Sequence, residues 1–387
     1  MNESKAARYQ RLRRRGHSAS VLSTAAMLAV VALTPAAGWI AGLSERVVRA
    51  WPAPLAASGA LVGVVVLVAV ACEVASLPAL IYLAVKVERA YGQPRATVED
   101  VIAAELQGTL LVLPLIVGAA AIAAGAAALV GAWWWTLAGA GMAVAAAVAV
   151  RVGPVVFARV AGVRPLARRE LAAQLEALAA TSGVPLRGID EWAAPDPARA
   201  SAMVLGAGRE RRVVLSAEIA RTWADDEITV VVAHELAHHV YRDVWWTLAL
   251  DAALWTCACG AADLMLRVAG LPIGGASGAV FLARLPALAL VAGLVWLAAT
   301  PIRHGQSRRQ ERRADRFALE STGHVEAFGT AIRRLSARHL VEDRPSLVTR
   351  WLYHRHPPIA DRLALAETYR RSMTRQPASD ADSLVAR

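Results

Sequence analysis

Only three cysteines occur in the 387 residues, charged side chains make up 19% of the chain, and aromatic ones 6%. Three cysteines are too few for a disulfide framework. Cys72, Cys257 and Cys259 all fall in apolar runs, and with no second Cys or His pair beside Cys257 and Cys259 they read as buried structural residues. The shortage of charge, set against 56% hydrophobic residues, excludes an ordinary pair of soluble domains. The charge that is present sums to a formal +11 and is nearly all arginine. It is spread over loops and helices with no basic cluster beside stacking aromatics, which argues against a nucleic-acid partner. Membrane topology and attraction to anionic lipid headgroups account for it. No internal repeat is visible.

Stretches at about 18–43, 56–85, 107–130, 132–150, 244–268 and 285–302 each hold roughly 20 mostly apolar residues, enough to cross a hydrocarbon core. Six spans are expected. Many are rich in alanine and glycine, and the connection around Gly131 is short. Trp133, Trp134 and Trp135 beside it suit a membrane interface. Arginine and lysine mark cytoplasmic loops: the tail before the first span carries Lys5, Arg8, Arg11, Arg13, Arg14 and Arg15. Lys86, Arg89 and Arg95 follow the second span, and Arg151, Arg159, Arg164, Arg168 and Arg169 the fourth; the outer loops are poorer. Both termini are therefore expected in the cytoplasm. A cleavable signal peptide is the rival reading of the first span, but the apolar run is longer than such a peptide needs, which favours a retained anchor. Glu73, Asp251 and Asp263 fall inside spans, so each faces a watery interior or a bundle partner that neutralises it.

Two polar stretches remain, about 152–243 and 303–387. "ARRELAAQLEALAATSGVP" has helical apolar spacing and stops at Gly183 and Pro185; "ASAMVLGAGRERRVVLSAEI" reads as two short strands around a glycine-rich turn. "ADDEITVVVAHELAHHVYRDV" opens with acids suited to a helix N-terminus, and the helix is expected to lead straight into the fifth span.

That last segment carries the chemistry. On a helix His234 and His238 lie one turn apart on one face and can direct two imidazoles at one ion, with Glu235 beside them in reach of a water. Zinc takes such nitrogen ligands, keeps a position open, and lowers the pKa of a bound water to about 7. Glutamate can then take up the water's proton and pass it to a leaving amine. The plainer alternative is a histidine pair satisfied on an amphipathic helix. A third ligand decides between them, and "SRRQERRADRFALEST" offers Glu311, with Asp315 one turn later on the same face. Those acids have an alternative too, as partners of Arg308 or Arg312 on a solvated face. His239 competes with His238 but projects about 100° round the helix, toward packing or solvent.

Between Leu77 and Ala366 the chain resembles the integral-membrane zinc peptidases of the CAAX prenyl protease type 1 family. "LPALIYLAVKVERAYGQPRATVEDVI" is similar to that family's membrane signature, and "RRVVLSAEI" followed by "DDEITVVVAHELAHH" to its strand, acidic cap and HExxH helix. "SRRQERRAD" and "HPPIADR" match its Glu-x-x-Ala-Asp and His-Pro-Pro-then-Arg elements. The resemblance implies a gluzincin: His234, His238 and Glu311 bind one zinc ion per subunit, and Glu235 is the general base. It implies further that Asp315 orients a ligand imidazole or donates a proton, that His356 steadies the oxyanion of the tetrahedral intermediate, and that Arg362 lies close by in a structural ion pair. Peptide would bind as an added strand along Ser201, Ala202 and Met203; the family usually has Asn where this chain has Ser201, which bears on substrate preference rather than chemistry.

The expectation is thus a mostly α protein, a polytopic bundle of about six spans with a cytoplasmic gluzincin-type α+β domain. Residues 1–158 form the membrane domain, 159–374 the peptidase domain with a membrane hairpin at about 244–302, and 375–387 a polar tail. The expected activity is zinc-dependent endopeptidase cleavage of membrane-associated proteins or peptides near the cytoplasmic face of a bacterial plasma membrane. An HtpX-like quality-control protease and a non-catalytic zinc-binding membrane sensor are the alternatives. Peptide or membrane-protein substrate and the lipid bilayer are the expected partners.

Overall fold

The computed structural model describes residues 5–92, 96–193, 201–206, 208–337, 342 and 345–375. The polar tail expected at 375–387 lies, apart from Arg375, outside these residues. The chain packs as two compact units, one of residues 1–145 with 249–300, the other of residues 146–248 with 301–387.

Among the described residues the elements of the first unit are all helices. It holds α1 (Lys5–Leu33), α2 (Ala36–Val47), α3 (Ala53–Ile81, prolonged by π-helical turns to Glu88) and α4 (Val98–Val130). Most of α9 (Asp243–Val268), the N-terminal part of α5 (Trp134–Val160) and α10 (Gly278–Ala298) complete it. Among the described residues, five continuous segments are long and apolar enough to cross a membrane: 5–33, 53–88, 98–159, 243–268 and 278–298. The third contains both α4 and α5, separated by a short 3-10 turn at Gly131–Trp133 where Gly131 has φ 50°. The first differs from the expected 18–43. The helix stops at Leu33 because Pro35 has no amide hydrogen to give and disfavours helix in Thr34, and α2 starts afresh behind it. Thr97 and Asp100 close α4 with reciprocal bonds, Asp100 N to Thr97 Oγ1 at 3.1 Å and Thr97 N to Asp100 Oδ2 at 2.8 Å.

Alanine and glycine fill the contacts of this bundle. Its core includes Ala60, Val64, Ala123, Ala126, Ala127, Ala138 and Ala262, small side chains that let backbones approach. Outward, Leu111, Leu115 and Leu129 are exposed, as lipid-facing positions are. The three tryptophans do not share a place. Trp133 is exposed, but Trp134 is wholly buried and donates from Nε1 to Asp263 Oδ1 at 2.7 Å, because a mid-bundle carboxylate needs partners more than an indole needs an interface. Arg267 Nε, 2.7 Å from Asp263 Oδ2, completes its neutralisation. Glu73 accepts from Thr109 Oγ1 at 2.9 Å and lines an apolar cavity of about 560 Å³ with Glu105.

The second unit holds β1 (Arg164–Pro165), α6 (Arg169–Thr181), β2 (Gly188–Trp192), β3 (Ala202–Leu205), β4 (Arg212–Ser216), α7 (Ala217–Thr222) and α8 (Asp225–Val240). After the membrane hairpin come α11 (Thr300–Thr322), α12 (Val325–Ala337), α13 (Leu347–Tyr353) and α14 (Ile359–Arg375). The sheet order is β1-β2-β4-β3, with β2 and β4 parallel and the outer pairs antiparallel, so β3 is an edge. The two strands expected around the glycine turn are β3 and β4. Helix α8 is buried on two faces. Ile228, Val232 and Leu236 join Leu171 and Leu175 of α6 and Val213 and Leu215 of β4, while Val230 and Ala233 meet Ala318 and Leu319 of α11, Phe328 of α12 and Ala366 of α14. Burying each such Leu, Ile or Phe contributes about 1.5–3 kcal/mol, so the position of α8 is set from both sides.

A Cβ added at Gly139 would stand 2.9 Å from Thr256 Cα, closer than packed atoms come, whereas nothing lies within 4 Å of one added at Gly293. Gly139→Ala is expected to cost about 1–3 kcal/mol and lower the melting midpoint in detergent, with Gly293→Ala as a neutral control. Equal midpoints for the two variants would show that the close approach carries no stability.

Candidate active site

The unpacked face of α8 presents His234, Glu235 and His238, and Glu311 of α11 comes to it from the far side of the hairpin. Glu311 Oε2 is 3.4 Å from His234 Nε2 and Oε1 is 3.9 Å from His238 Nε2. One ligand atom from each of the three lies within 4.8 Å of the other two, a cluster able to hold a metal ion. The opposite ring nitrogens are engaged from outside: His234 Nδ1 is 3.0 Å from Asp315 Oδ1, and His238 Nδ1 is 2.9 Å from Asp243 Oδ2. At His238 the bonded Asp243 carboxylate selects the tautomer that leaves the Nε2 lone pair pointing to the common centre.

The residues fit a cation. Glu311 Oε2 is buried and lacks an aligned hydrogen bond, although His356 Nδ1 stands 2.9 Å away, and His234 Nδ1 is likewise unaligned with Asp315. Two imidazole nitrogens and a carboxylate oxygen converging without mutual satisfaction are the donor set that zinc takes.

Each charged group has a compensating neighbour. Burial lowers the His234 pKa, but Asp315 and Glu311 outweigh it and lift it to about 10. Burial raises the Glu311 carboxyl, but His234 and His356 hold it far below the usual carboxylate range. Asp315 is similarly pushed up by burial and brought below its ordinary value by His234 and Arg362. For Glu235 burial prevails over the opposing pull of His234 and His238, so its pKa is raised and its basicity increased. Arg362 reaches Asp315 with two bonds, Nε to Oδ2 at 2.8 Å and Nη2 to Oδ1 at 2.5 Å. His356, mostly exposed, places Nδ1 2.9 Å from Glu311 Oε2 and its charge also draws down the pKa of Glu235.

Two features depart from the expected site. Helix α8 does not run on into the next span: it ends at Val240, and Arg242 takes a left-handed φ of 57° before α9 begins at Asp243. In an unbroken helix Asp243 would sit about 140° around from His238; the kink brings it underneath. Arg313 bonds the other Asp243 oxygen and stacks over Tyr241 at 4.0 Å, and Gln310 Nε2 donates to Asp243 O at 3.3 Å. His239 is neither solvated nor a rival ligand, for its Nε2 is 3.1 Å from Val204 O on β3. Of the expected substrate strand, Ser201 is tied inward, its O accepting from Ser216 N at 2.8 Å and its N donating to Ser216 Oγ at 3.0 Å.

Residues 165–370 match the model described as Peptidase family M48, more than half of the chain. The chain belongs to peptidase family M48. A second model, described as the CAAX prenyl protease N-terminal region with five membrane helices, matches residues 2–160. With its five membrane-length segments, this M48 member is an integral membrane protein. It is 28% identical to the uncharacterized metalloprotease YhfN of Bacillus subtilis over 207 residues, 52% of this chain and 49% of that one. It is 29% identical to protease HtpX of Xylella fastidiosa over 185 residues, 42% of this chain and 61% of that one. The matches therefore span about half to three-fifths of these curated relatives. The fold is that of the crystal structure of S. mikatae Ste24p, with a TM-score of 0.67 at 18% identity, covering 85% of this chain and 80% of that one.

Asp243→Ala removes the partner of His238 Nδ1 and is expected to weaken zinc binding about 10–100-fold, measured by competition with a chelating dye. An unchanged affinity would mean that Asp243 does not orient His238.

Proposed function

We propose that this M48 member is a zinc-dependent endopeptidase that hydrolyses peptide bonds of membrane-associated proteins or peptides. One observation carries the reading: a carboxylate 73 residues beyond His238 in sequence meets both imidazoles of an HExxH helix, with a basic glutamate beside them. One zinc ion per subunit, held by His234, His238 and Glu311, would supply Lewis acidity toward the scissile carbonyl and a water acidified to about neutral pKa.

The chain's own groups supply the rest. Glu235 accepts the proton of the attacking water and delivers it to the departing amine. Asp315 and Asp243 hold the two imidazoles by their outer nitrogens, and Arg362 and Arg313 hold those carboxylates in turn. His356, mobile enough by its exposure to turn from Glu311, donates to the developing oxyanion. Peptide aligns as an added strand along residues 201–203 of the open edge. Residues 1–158 form the anchoring membrane domain and 159–374 the peptidase domain. The distribution of arginine supports both termini and the site on the cytoplasmic side. The bacterial origin of the two curated relatives supports a bacterial plasma membrane.

The alternative reading, a membrane quality-control protease, would use the same chemistry on misfolded membrane proteins, and protease HtpX is among the relatives. A zinc sensor has no chemical need for Glu235 beside the open position.

Glu235→Gln is expected to bind zinc as wild type does and to lose about 10²–10⁴-fold in peptide cleavage, read with a quenched peptide library in detergent. Removal of zinc by a chelator should abolish cleavage, and zinc should restore it. A wild-type protein that holds zinc but cuts nothing would sink the peptidase reading in favour of the sensor.

A further inference from the structure

Helix α13 is inside out. Five of the seven residues of Leu347–Tyr353 are apolar or aromatic, yet none is buried: Leu347 is 70% exposed, Val348 67% and Trp351 59%, with Leu352 and Tyr353 also outward. Positions 347, 348, 351 and 352 make one face of a helix, the face that an amphipathic helix ordinarily turns to a core. Here the protein holds the helix from its other side. Arg308 Nη1 donates to Arg350 O at 2.7 Å and to His354 O at 2.6 Å, and His304 Nδ1 donates to Trp351 O at 3.2 Å. Both donors are buried on α11, and Arg350 Nη2 bonds Asp361 Oδ2 of α14 at 2.7 Å. Ser346 closes the first turn, its Oγ accepting from Thr349 N at 3.2 Å. A helix of seven residues has little stability of its own, so these bonds decide which way it faces.

A contiguous apolar patch in the open marks either a protein partner or a membrane, and the course of the chain separates the two. The membrane-length helix α10 ends at Ala298, and at about 1.5 Å per residue its 21 residues cover the roughly 30 Å of a hydrocarbon core. His304 comes only six residues later, in the first turns of α11. It therefore ties α13 to the stretch of chain that leaves the hydrocarbon and crosses a headgroup layer about 5–8 Å thick. Ile302 on that stretch is exposed too, and Arg303, Arg308 and Arg355 stand close enough for their charges to act on His304. Tryptophan, tyrosine and aliphatic side chains beside arginines are the composition of a bilayer interface, where the cations meet anionic headgroups. We propose that α13 is an interfacial helix whose outer face, Leu347, Val348, Trp351 and Leu352, lies at the boundary between headgroups and acyl chains of the membrane that the chain spans. The helix ends three residues before His356, whose Nδ1 is 2.9 Å from Glu311 Oε2, so the lipid-seated segment leads directly into the metal-binding cluster. The proposal does not depend on the peptidase reading.

The test reads the depth of the helix in a bilayer. Full-length protein with a genetically incorporated fluorescent residue in place of Val348 is reconstituted, one copy per nanodisc, in mixed phosphatidylcholine and phosphatidylglycerol. The melting midpoint is compared with wild type, and Leu352 is the second labelling position should the first disturb folding. Lipids brominated near the headgroup end of the acyl chain are expected to remove most of the fluorescence, and lipids brominated at the chain end to remove little. Fluorescence untouched by brominated lipid but lost to aqueous iodide would overturn the proposal, because the face would then meet water. Protection from both quenchers would overturn it equally and assign the face to a protein cover. Stronger quenching from the chain end than from the headgroup end would place the helix in the hydrocarbon core and also defeat an interfacial seat. With a single copy in each nanodisc, a second copy of the chain cannot mimic the expected result.

Discussion

Everything at the site depends on stabilising buried carboxylates next to imidazoles. Glu311, Asp315 and Asp243 are all buried, and a carboxylate removed from water costs several kcal/mol unless charge and hydrogen bonds replace its hydration. Here the replacement is arginine or histidine in every case: Arg362 and His234 on Asp315, Arg313 and His238 on Asp243, His234 and His356 on Glu311. Around Asp315 and Asp243 the arrangement is layered, with arginine outermost, then carboxylate, then imidazole, then the centre. Each layer fixes the rotamer of the next, so the arginine-rich character of α11, which from composition looks like a solvated face, serves in part to hold the metal-binding geometry.

The local break after α8 belongs to the same constraint. A straight helix from the HExxH segment into the membrane would have wasted Asp243 on another face and left His238 Nδ1 without a carboxylate. A single left-handed residue, Arg242, re-aims the chain. Left-handed backbone is costly for a side chain with a Cβ, and such strain persists only where surrounding contacts over-determine it. The contacts that Asp243 makes with His238, Arg313 and Gln310 are of that kind.

The helical unit solves an analogous problem with other means. Asp263 is matched by a buried indole and an arginine one turn on, and Glu73 by a threonine hydroxyl at the edge of a cavity. The many alanines that make each span only weakly hydrophobic are the residues that let its helices approach closely, as Gly139 does against Thr256. Weak hydropathy and tight packing are two consequences of the same composition.

What the sequence by itself determined is what periodicity and local chemistry can express. The helical runs, the strand pair around a glycine turn, two imidazoles one turn apart and the Glu311–Asp315 face on α11 all follow from spacing of 2, 3.6 or 4 residues. The start of α8 was readable as well, since acids at a helix N-terminus answer a local electrostatic need: Glu227 Oε2 accepts from Ala224 N at 3.1 Å. The tertiary structure alone decided where Pro35 and Arg242 interrupt helices, which tryptophan turns inward, that Asp243 meets His238, and that His239 takes the Val204 carbonyl. These outcomes share one physical reason. Each is a competition between groups distant in sequence for a partner in a dry interior, and the winner is set by three-dimensional proximity and desolvation, which no local pattern of residues encodes.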